Sequence, residues 1–484
     1  MISDIMYFSI MLFLSRSREL ASLTRLDAKG GLAVVTGRRR MGKTRLLLEW
    51  VQKRRGIYFV ADQSTADVQR RYFAEAVAER LPGFADVVYR DWRALFARLA
   101  VDAAAARFRG PLVIDELPYL VDSAPELPSV LQLFCDRAAR EAKLSVGLAG
   151  SSRRAMQAVA LSPDAPLHGR AQVQLELGAL GPEYLAQAFA RPTPGRLLDL
   201  YAAWGGIPRY WELATRTTGT LADTIDVLVL DPGGILHEEP LRLLHEEVPS
   251  AIELRPLLDA IGTGAHRVSE IAAHIGRPAT SLSRALDRLR ELGVVEREIP
   301  FGQSERETKR TQYRIVDPFL RLWFRVVGPH RARLARGTKK ERLELLRAHW
   351  PTLRAEAWLQ LCREQLAVPH KRPKAFGAWG PARPFWQGSA SDWDLVSRSL
   401  DGKKLLLGAA RVHEGPMSLA ELGAEAQGIA IKNAPALGRG YDDCVQERVL
   451  FLPQVSARTP RSVHGVRIVT LDELIPQAPK RTRA

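Results

Sequence analysis

Short apolar runs alternate with helix-patterned stretches over the first third of the chain. Each run has Val, Ile, Leu or Ala at consecutive positions, which is typical of a strand covered on both faces. Between the runs, apolar residues recur at the spacing of an amphipathic helix. This alternation predicts a parallel sheet with helices on both faces. The predicted strands are 31–36, 57–61, 111–114 and 144–150, and the predicted helices are 43–54, 66–107 and 129–142.

The pattern changes after residue 178, and the changes predict the domain organisation. Helical periodicity broken by Gly and Pro predicts a helical lid, and helices followed by two strand-like runs predict a helix-turn-helix with a β-hairpin. A basic, helix-compatible link and a region of mixed helix and strand character follow. The predicted segments are an α/β core at 1–178, the lid at 179–248, the helix–hairpin domain at 249–326, the link at 327–350 and a C-terminal α/β domain at 351–484.

Residues 1–14 are apolar and carry one acidic residue, Asp4. Fourteen residues are too few to span a bilayer, which takes about 20. No basic residues precede the run and no small-residue cleavage site follows it, so we expect no signal peptide and interpret 7–14 as a buried strand. No other segment reaches 18 apolar residues, and the three cysteines have no disulfide or ligand spacing. We therefore predict a soluble, cytoplasmic protein without membrane association.

The charge of the chain suggests an anionic partner. The 484 residues include 70 Lys and Arg against 54 Asp and Glu, a net charge of +16, and the pI is about 10.0. Because only 13 of the basic residues are Lys, a genome-wide bias towards Arg is an alternative explanation. Half of the excess, +8, lies within 301–350. This concentration favours a surface for a nucleic acid or another polyanion, with a merely solvated helix face as the alternative.

A phosphate-binding motif follows the first predicted strand. GRRRMGKT at 37–44 fits GxxxxGK[ST] and lies between a predicted strand and a predicted helix, as such a loop must, whereas an ordinary glycine turn is the plainer interpretation. The glycines let backbone N–H groups point at the phosphates, and the helix presents its positive end to them. We expect Lys43 to reach the β- and γ-phosphates and the Thr44 hydroxyl to bind Mg²⁺. The predicted nucleotide-binding residues are Gly37, Arg38, Arg39, Arg40, Met41, Gly42, Lys43, Thr44 and Arg45.

Three later features supply the other groups that a nucleotide hydrolase needs. LVIDE at 112–116 ends a buried strand with two carboxylates, of which Asp115 is expected to bind Mg²⁺ and Glu116 to orient or deprotonate the attacking water. Ser151 is expected to lie near the γ-phosphate, and Arg170 to stabilise charge on the transferred phosphoryl group. Taken singly, these residues also fit a strand end, a turn and a surface arginine. The predicted catalytic residues are Glu116, Lys43, Arg170 and Ser151.

Together these stretches resemble the prokaryotic archaeal-type ATPases, on the AAA+/STAND side of the P-loop NTPases. The segment 37–44 is similar to the family's G-R-R-R-x-G-K-T, and IDELPYL at 114–120 to its I-D-E-x-P-Y-L. The sequence departs from the family at Ser15, where the family has Gly, and at His168, where it has Tyr. The resemblance implies an ASCE/AAA-like parallel sheet, ATP rather than GTP, and a C-terminal winged-helix and nuclease-like region. Further similar stretches are 13–20, 150–152, 166–170, 205–210 and 313–324.

The helix–hairpin domain has the element order of a winged helix-turn-helix. A short helix at 268–276, a turn and a second helix at 279–292 precede two strand-like runs. In a DNA-binding version, the second helix enters the major groove and Arg284 and Arg288 contact the duplex. In the other version, the domain docks against the ATPase core. Together with the basic segment, the pattern predicts double-stranded DNA binding through 280–347.

The C-terminal domain resembles a PD-(D/E)xK nuclease core, which holds Mg²⁺ on an Asp and on an acid-x-Lys of paired strands. Asp392 and Asp394 suit the first position. At the second position Ala409 stands in place of the acid and Arg411 in place of the Lys, and Arg is too basic to take over the role of that Lys. We therefore predict a nuclease-like fold that has lost its chemistry, and an active nuclease is the less favoured alternative.

These features predict an Mg²⁺- and ATP-dependent P-loop ATPase whose nucleotide state is coupled to the winged helix. The alternative, from a different class, is a nucleotide-gated DNA-binding switch with little turnover. A homo-oligomer or a protein partner is compatible with either.

Overall fold

The computed structural model describes residues 15–247, 253–304, 308, 310–367, 377–387, 390–438 and 440–475. The strand predicted at 7–14 lies outside the described residues. The chain forms two compact units, of which the first comprises the residues up to 180 together with Ile207–Tyr210, and the second comprises 181–206 and the residues from 211 onwards. In the described ranges, no helix has both the length and the apolar character needed to cross a membrane.

The first unit is built on a five-stranded sheet of order β2-β3-β4-β1-β5, in which every strand pair is parallel. The inner strands β3 and β4 are buried at every position, as their continuous apolar sequences predict. The strands are β1 (Gly31–Thr36), β2 (Ile57–Val60), β3 (Pro111–Asp115), β4 (Ser145–Ala149) and β5 (Ala171–Glu176). The helices are α1 (Ser17–Leu26), α2 (Lys43–Arg54), α3 (Ala66–Ala78), α4 (Trp92–Ala105), α5 (Leu117–Ser123), α6 (Leu127–Leu133), α7 (Ala139–Glu141) and α8 (Arg153–Met156).

The four predicted strands are confirmed to within one residue at each end. The fifth strand, β5, was not predicted. It lies at the edge of the sheet, and its AQVQLE sequence alternates between half-buried and exposed residues instead of forming an apolar run.

The carboxyl ends of the parallel strands lie along one edge of the sheet. The register pairs Val60 with Asp115 and Val35 with Ala149, so β1 to β4 end at nearly the same level. The phosphate-binding motif after β1, the acid pair at the end of β3 and the GSS sequence after β4 therefore emerge side by side.

The second unit begins with helices and continues into a helix–hairpin arrangement. Strands β6 and β7 pair antiparallel, and Leu282, Leu286 and Leu289 of the preceding helical segment are buried, as their spacing predicts. The helices after residue 181 are α9 (Leu185–Ala188), α10 (Pro194–Trp204), α11 (Pro208–Arg216), α12 (Leu221–Ile225), α13 (Glu239–Glu247), α14 (Arg255–Thr263), α15 (Val268–Ile275) and α16 (Ser283–Glu291). The strands are β6 (Val295–Glu298) and β7 (Gln312–Ile315).

The segment predicted as a link is helical, and its last helix continues beyond residue 350. Helices α17 (Pro318–Leu322) and α18 (Arg331–Arg336) precede α19 (Lys339–Leu366), which runs for 28 residues through Pro351. Leu346 before the proline and Leu353 after it are both buried, so packing holds the helix together on both sides of the missing hydrogen bond. The predicted boundary at 350 therefore falls inside a continuous helix.

Several basic side chains of this helical segment pair with acids from the region predicted as the lid. Asp226 is almost fully buried and receives the Arg342 guanidinium at 2.6 Å. Part of the positive charge predicted for a polyanion surface is therefore neutralised within the unit. The pairs are Arg331 with Glu238, Lys339 with Asp223, and Arg342 with Asp226 and Asp231.

The rest of the second unit contains a six-stranded mixed sheet of order β12-β13-β11-β10-β9-β8. Three antiparallel strands follow α19, and a helix then connects β10 to β11, which lies parallel to it. The strands are β8 (Arg383–Gln387), β9 (Ala390–Arg398), β10 (Lys404–Ala410), β11 (Val445–Leu452), β12 (Ser462–Val463) and β13 (Val466–Thr470), and the helices are α20 (Leu419–Ala430) and α21 (Leu471–Leu474).

Candidate active site

The loop between β1 and α2 curls through two glycines with positive φ. Gly37 has a φ of 144°, and a Cβ atom at this position would lie 2.5 Å from the carbonyl oxygen of Leu177. Gly42 has a φ of 86° and forms the start of α2. Only glycine combines this backbone conformation with so close an approach, which explains both glycines of the motif.

Lys43 is held against the loop itself. Its Nζ donates to the carbonyl oxygens of Gly37, at 2.8 Å, and of Arg38, at 3.2 Å, and the residue is only 5% exposed. The ammonium group therefore lies within the curve of the loop, at the positive end of α2, where a phosphate would meet both charges.

Asp115 is the most highly connected acid at this edge of the sheet. It is 1% exposed, and its Oδ2 accepts hydrogen bonds from the Thr44 hydroxyl and the Tyr58 hydroxyl, each at 2.8 Å. Its Oδ1 accepts from the backbone N–H of Glu116 at 2.9 Å. Three donors thus fix the orientation of this buried carboxylate, and Thr44 and Asp115 are brought together as predicted.

Tyr58 was not among the predicted site residues. Burial, and then the negative charge of Asp115, raise the pKa of its hydroxyl far above the usual value, so it stays a donor at all physiological pH values. Tyr58 lies on β2 two residues before Val60, the partner of Asp115 in the register, so its long side chain reaches forward to the carboxylate. The sequence signal that could have identified Tyr58 as a site residue is its polar hydroxyl in an otherwise apolar predicted strand.

Glu116 and Ser151 are also brought together. Glu116 has a left-handed backbone with a φ of 53°, which is unusual for a residue other than glycine and aims its side chain away from the direction that a continued strand would give. Its Oε2 accepts hydrogen bonds from the Ser151 hydroxyl, at 2.9 Å, and from the Ser151 backbone N–H, at 3.3 Å. The end of β4 therefore positions the carboxylate predicted to act on water.

Arg170 is not brought to this site. It directly precedes β5, whose first residue pairs with Leu32 near the start of β1, so Arg170 lies at the amino end of the sheet. The length of a strand, roughly 17 Å for five residues, separates it from the phosphate loop within this chain. Its guanidinium instead pairs with Asp136 at 3.0 Å and donates to the Pro166 carbonyl. The expectation that it stabilises the phosphoryl group from within the same chain does not fit this placement.

The other predicted loop residues lie around the curve of the loop. Arg39 donates to the Tyr119 hydroxyl at 3.4 Å, Arg45 lies 3.9 Å from Glu49, and Met41 is buried. Arg40 has a left-handed φ of 70°.

Two neighbours of the loop were missed as site residues, although their motifs were noted. Arg16 donates to the carbonyl oxygens of Met41 and Gly178, and so ties the start of α1 to the loop. Pro208 belongs to the short segment that groups with the first unit, and its Cγ lies 3.9 Å from the position of a Cβ on Gly42.

Thr44 and Asp115 fit a Mg²⁺ ion. They offer a hydroxyl and a carboxylate oxygen, which are the hard oxygen ligands that Mg²⁺ prefers, and the two oxygens already face each other. Because Mg²⁺ usually keeps several waters, two protein ligands are enough next to a triphosphate.

In the second unit, the residues predicted to contact DNA lie on the surface of α16. Arg284 is exposed, and Arg288 pairs with Glu291 of its own helix at 3.0 Å. On the six-stranded sheet, the Arg411 guanidinium lies between two carboxylates, 2.9 Å from Asp394 and 3.2 Å from Glu425. The side chain of Asp392 lies outside the described part of the structure.

A parallel sheet with a phosphate loop after β1 and an acid pair at the end of β3 defines the first unit as a P-loop ATPase. Residues 13–211 match the family model of an ATPase domain found predominantly in Archaea, so this part of the chain is an archaeal-type P-loop ATPase domain. The resemblance predicted from the motifs and the predicted enzyme class, an ATPase, are both confirmed by this match.

This chain is similar to several individual proteins. An uncharacterised protein of Methanocaldococcus jannaschii is 28% identical over 400 residues, covering 82% of this chain and 86% of that protein. The solved Walker-type ATPase PABY2304 of Pyrococcus abyssi has a TM-score of 0.50 and 18% identity, covering 65% of this chain and 96% of that chain. The Aeropyrum pernix ORC2 protein, solved in ADPNP–ADP complexes, has a TM-score of 0.39 and 14% identity, covering 70% of this chain and 95% of that chain.

Proposed function

We propose that the protein hydrolyses Mg²⁺-ATP at the loop 37–44 and that its nucleotide state controls a DNA-associated winged helix at 249–326. The observation that carries the first part is the arrangement of Thr44, Asp115, Glu116 and Ser151 at one edge of the sheet. Metal-binding groups and a candidate base converge there, next to a loop shaped for phosphates.

Each group has a defined task in this proposal. Lys43 leaves the loop carbonyls to pair with the β- and γ-phosphates, and the backbone N–H groups of the loop hold the same oxygens. Thr44 and Asp115 hold Mg²⁺, which when bound neutralises phosphate charge. Glu116 orients the attacking water and accepts its proton, and Ser151 keeps the carboxylate in place.

The same geometry favours the second candidate function, a nucleotide-gated switch with little turnover. Both hydrogen bonds from Ser151 go to a single oxygen of Glu116 and occupy the acceptor positions at which that oxygen would take a proton from water. Steady-state turnover with and without DNA separates the two functions. Strong stimulation supports a motor or remodeller, whereas tight ATP occupancy with negligible turnover supports a switch.

DNA association is supported by the exposed basic residues that remain after the ion pairs are counted. Arg284 lies on α16, and four further exposed basic side chains follow on α18 and α19, within the predicted range 280–347. They are Arg333, Arg336, Lys340 and Arg347.

The test of direct contact by α16 is salt-dependent binding to duplex DNA. Replacing Arg284 and Arg288 with Ala should weaken binding about tenfold or more at low salt, because each charged contact to DNA contributes roughly 1–3 kcal/mol. Arg71→Ala, at an exposed arginine of α3, is the matched control. Unchanged affinity in the double variant would show that this helix does not contact the duplex.

We further propose that the C-terminal sheet acts as a binding or regulatory module and not as a nuclease. Arg411 places a permanent positive charge between Asp394 and Glu425, where a catalytic cation would need open carboxylate oxygens. Metal-dependent DNA cleavage that disappears in Asp394→Ala would overturn this assignment and favour the nuclease alternative. Mass measurement with and without ATP would establish whether the protein assembles with itself.

A further inference from the structure

A charged cleft of about 350 Å³ opens in the second unit. Its walls come from the β6–β7 hairpin, from Arg321 of α17, from α19 and from residues 381–384 at the start of β8. The volume falls within the range of small-molecule sites, roughly 300–1,000 Å³. None of the residues predicted for the nucleotide site lines it, whereas the hairpin residues, Ile299 and Arg321 lie within the range 280–347 predicted for DNA.

Guanidinium groups dominate the polar lining of this cleft. They come from five different elements, β6, β7, α17, α19 and β8, so the fold and not one sequence run gathers them. A planar guanidinium presents paired N–H donors that match the oxygens of a carboxylate or phosphate. The five arginines are Arg297, Arg314, Arg321, Arg363 and Arg383.

Two of these arginines share a single carboxylate of the cleft. Glu298 is shared, since Arg363 donates to its Oε1 and Arg314 lies 2.7 Å from its Oε2. Although burial alone would raise it, the two guanidinium groups hold the pKa of Glu298 below its usual value. Glu356 is already paired with Arg325, at 2.9 Å. Two arginines thus share Glu298, and Glu356 is paired with an arginine that does not line the cleft.

No salt bridge joins Arg297 or Arg321 to a carboxylate among the described residues, although the charge of Arg321 acts against the effect of burial on the pKa of Glu364. Arg321 is buried and donates to the neutral side-chain oxygen of Gln360. The Nε–H of Arg297 is buried without a hydrogen-bond partner in the described part of the chain, and one of its terminal nitrogens makes a long contact, 3.5 Å, to the Thr308 carbonyl. A buried donor of this kind needs an acceptor oxygen from within the cleft.

The remaining two acids of the cleft are Glu296 and Glu364, of which Glu296 is exposed. Burial raises the pKa of Glu364, whose oxygens accept from Gln360 and Tyr201. The lining therefore contains five guanidinium groups and four carboxyl groups.

We propose that this cleft binds a small oxyanion with two negative charges, a phosphate monoester or a dicarboxylate. The anion would pair with Arg297 and Arg321 and give the buried Nε–H of Arg297 its missing acceptor. Bound there, it would link the hairpin to α17.

Equilibrium dialysis with radiolabelled sulfate tests the proposal on the full chain. Sulfate keeps two charges across the working pH range, and a Lys43→Ala background weakens any contribution from the phosphate loop. We expect one saturable site per chain, weakened about tenfold or more by Arg297→Gln, because a hydrogen bond to a charged group contributes roughly 1.5–3 kcal/mol. Arg71→Gln, at an exposed arginine of α3, should leave sulfate binding unchanged.

Parallel dialysis with inorganic phosphate and with succinate distinguishes the two chemical classes, since the preferred anion should compete with sulfate more strongly. Arg321→Gln serves as a second cleft variant if Arg297→Gln does not give a native circular dichroism spectrum. The proposal is overturned if sulfate, phosphate and succinate all fail to bind at millimolar concentration, or if the folded cleft variants bind as tightly as the parent protein.

Discussion

Among single residues, Asp115 is the one whose surroundings decide how the site is organised. Its two oxygens accept from Thr44, from Tyr58 and from the backbone of Glu116, so its side chain has one available orientation. The sequence predicted Thr44 and Asp115 because both belong to motifs with fixed spacing. Tyr58 belongs to no motif, and its contact with Asp115 depends on the register between β2 and β3. That register cannot be predicted from a single sequence.

Removing the Tyr58 hydroxyl should therefore loosen the metal site without removing a metal ligand. In Tyr58→Phe we expect kcat to fall about tenfold and the half-saturating Mg²⁺ concentration to rise, since a hydrogen bond to a charged group contributes roughly 1.5–3 kcal/mol. ATP binding without metal should be unchanged. Manganese binding, followed by electron paramagnetic resonance in the presence of ADP, gives a readout apart from turnover.

The matched control for that substitution is Tyr72→Phe, at an exposed tyrosine of α3. If Tyr58→Phe and Tyr72→Phe show the same Mg²⁺ dependence and manganese affinity as the parent, Tyr58 does not position Asp115.

Arg170 is the opposite case to Tyr58, because it was predicted as a site residue but does not lie at the site. Its motif suggested a place near the phosphates, but the unpredicted strand β5 begins directly after it and runs parallel to β1. Arg170 is therefore at the opposite end of the sheet from the loop. Without β5 in the predicted topology, nothing in the sequence distinguished the two ends.

Among the elements, the phosphate loop depends on close packing against the residue that follows β5. The Leu177 backbone lies where a side chain at position 37 would be, with 2.5 Å between a Cβ and the carbonyl oxygen. We expect Gly37→Ala to destabilise the first unit by roughly 1–3 kcal/mol through strain at a positive φ and to abolish ATP binding. Thermal unfolding and nucleotide titration measure the two effects.

Gly178→Ala is the control for this effect, because a Cβ at position 178 would meet no atom within 4 Å. It should keep both stability and ATP affinity. Normal ATP binding by Gly37→Ala would contradict the packing argument.

Helix α19 shows why an element boundary was harder to predict than the elements themselves. Pro351 favours a helix start, since proline fits a first turn and breaks a hydrogen bond elsewhere. The observed helix nevertheless runs through it, because buried leucines anchor the turns on both sides. Burial of this kind depends on the tertiary structure and cannot be predicted from the local sequence. The strands β1, β3 and β4, in contrast, could be predicted because each is a continuous apolar run.

At the scale of the whole molecule, the net charge of +16 resolves into paired and exposed groups. The sequence located half of the excess at 301–350 but did not show that three of its basic side chains face acids of 223–238. Ion pairs between segments so far apart in sequence depend on the fold. The surface available to a polyanion is therefore smaller than the composition suggests.

Neutralising only the exposed set tests this picture. Replacing Arg333, Arg336, Lys340 and Arg347 with Ala should weaken duplex DNA binding and reduce the slope of log affinity against log salt by up to about 3.6, at roughly 0.9 per phosphate contact. A control with four exposed arginines of the first unit replaced has the same change in net charge: Arg18, Arg71, Arg90 and Arg93. Equal slopes in the two variants would show that only total charge matters.

The central claim is that loop 37–44 and the acid pair Asp115–Glu116 form one ATP-hydrolysing site. The most direct measurement is ATP binding and single-turnover hydrolysis by Lys43→Ala and Glu116→Gln side by side. Lys43→Ala should lose nucleotide binding, because its ammonium is the charge that pairs with the phosphates. Glu116→Gln should bind ATP with the affinity of the parent and hydrolyse it at least about a hundredfold more slowly, since a positioned base contributes roughly 10²–10⁴-fold. Hydrolysis by Glu116→Gln at the rate of the parent would contradict the assignment.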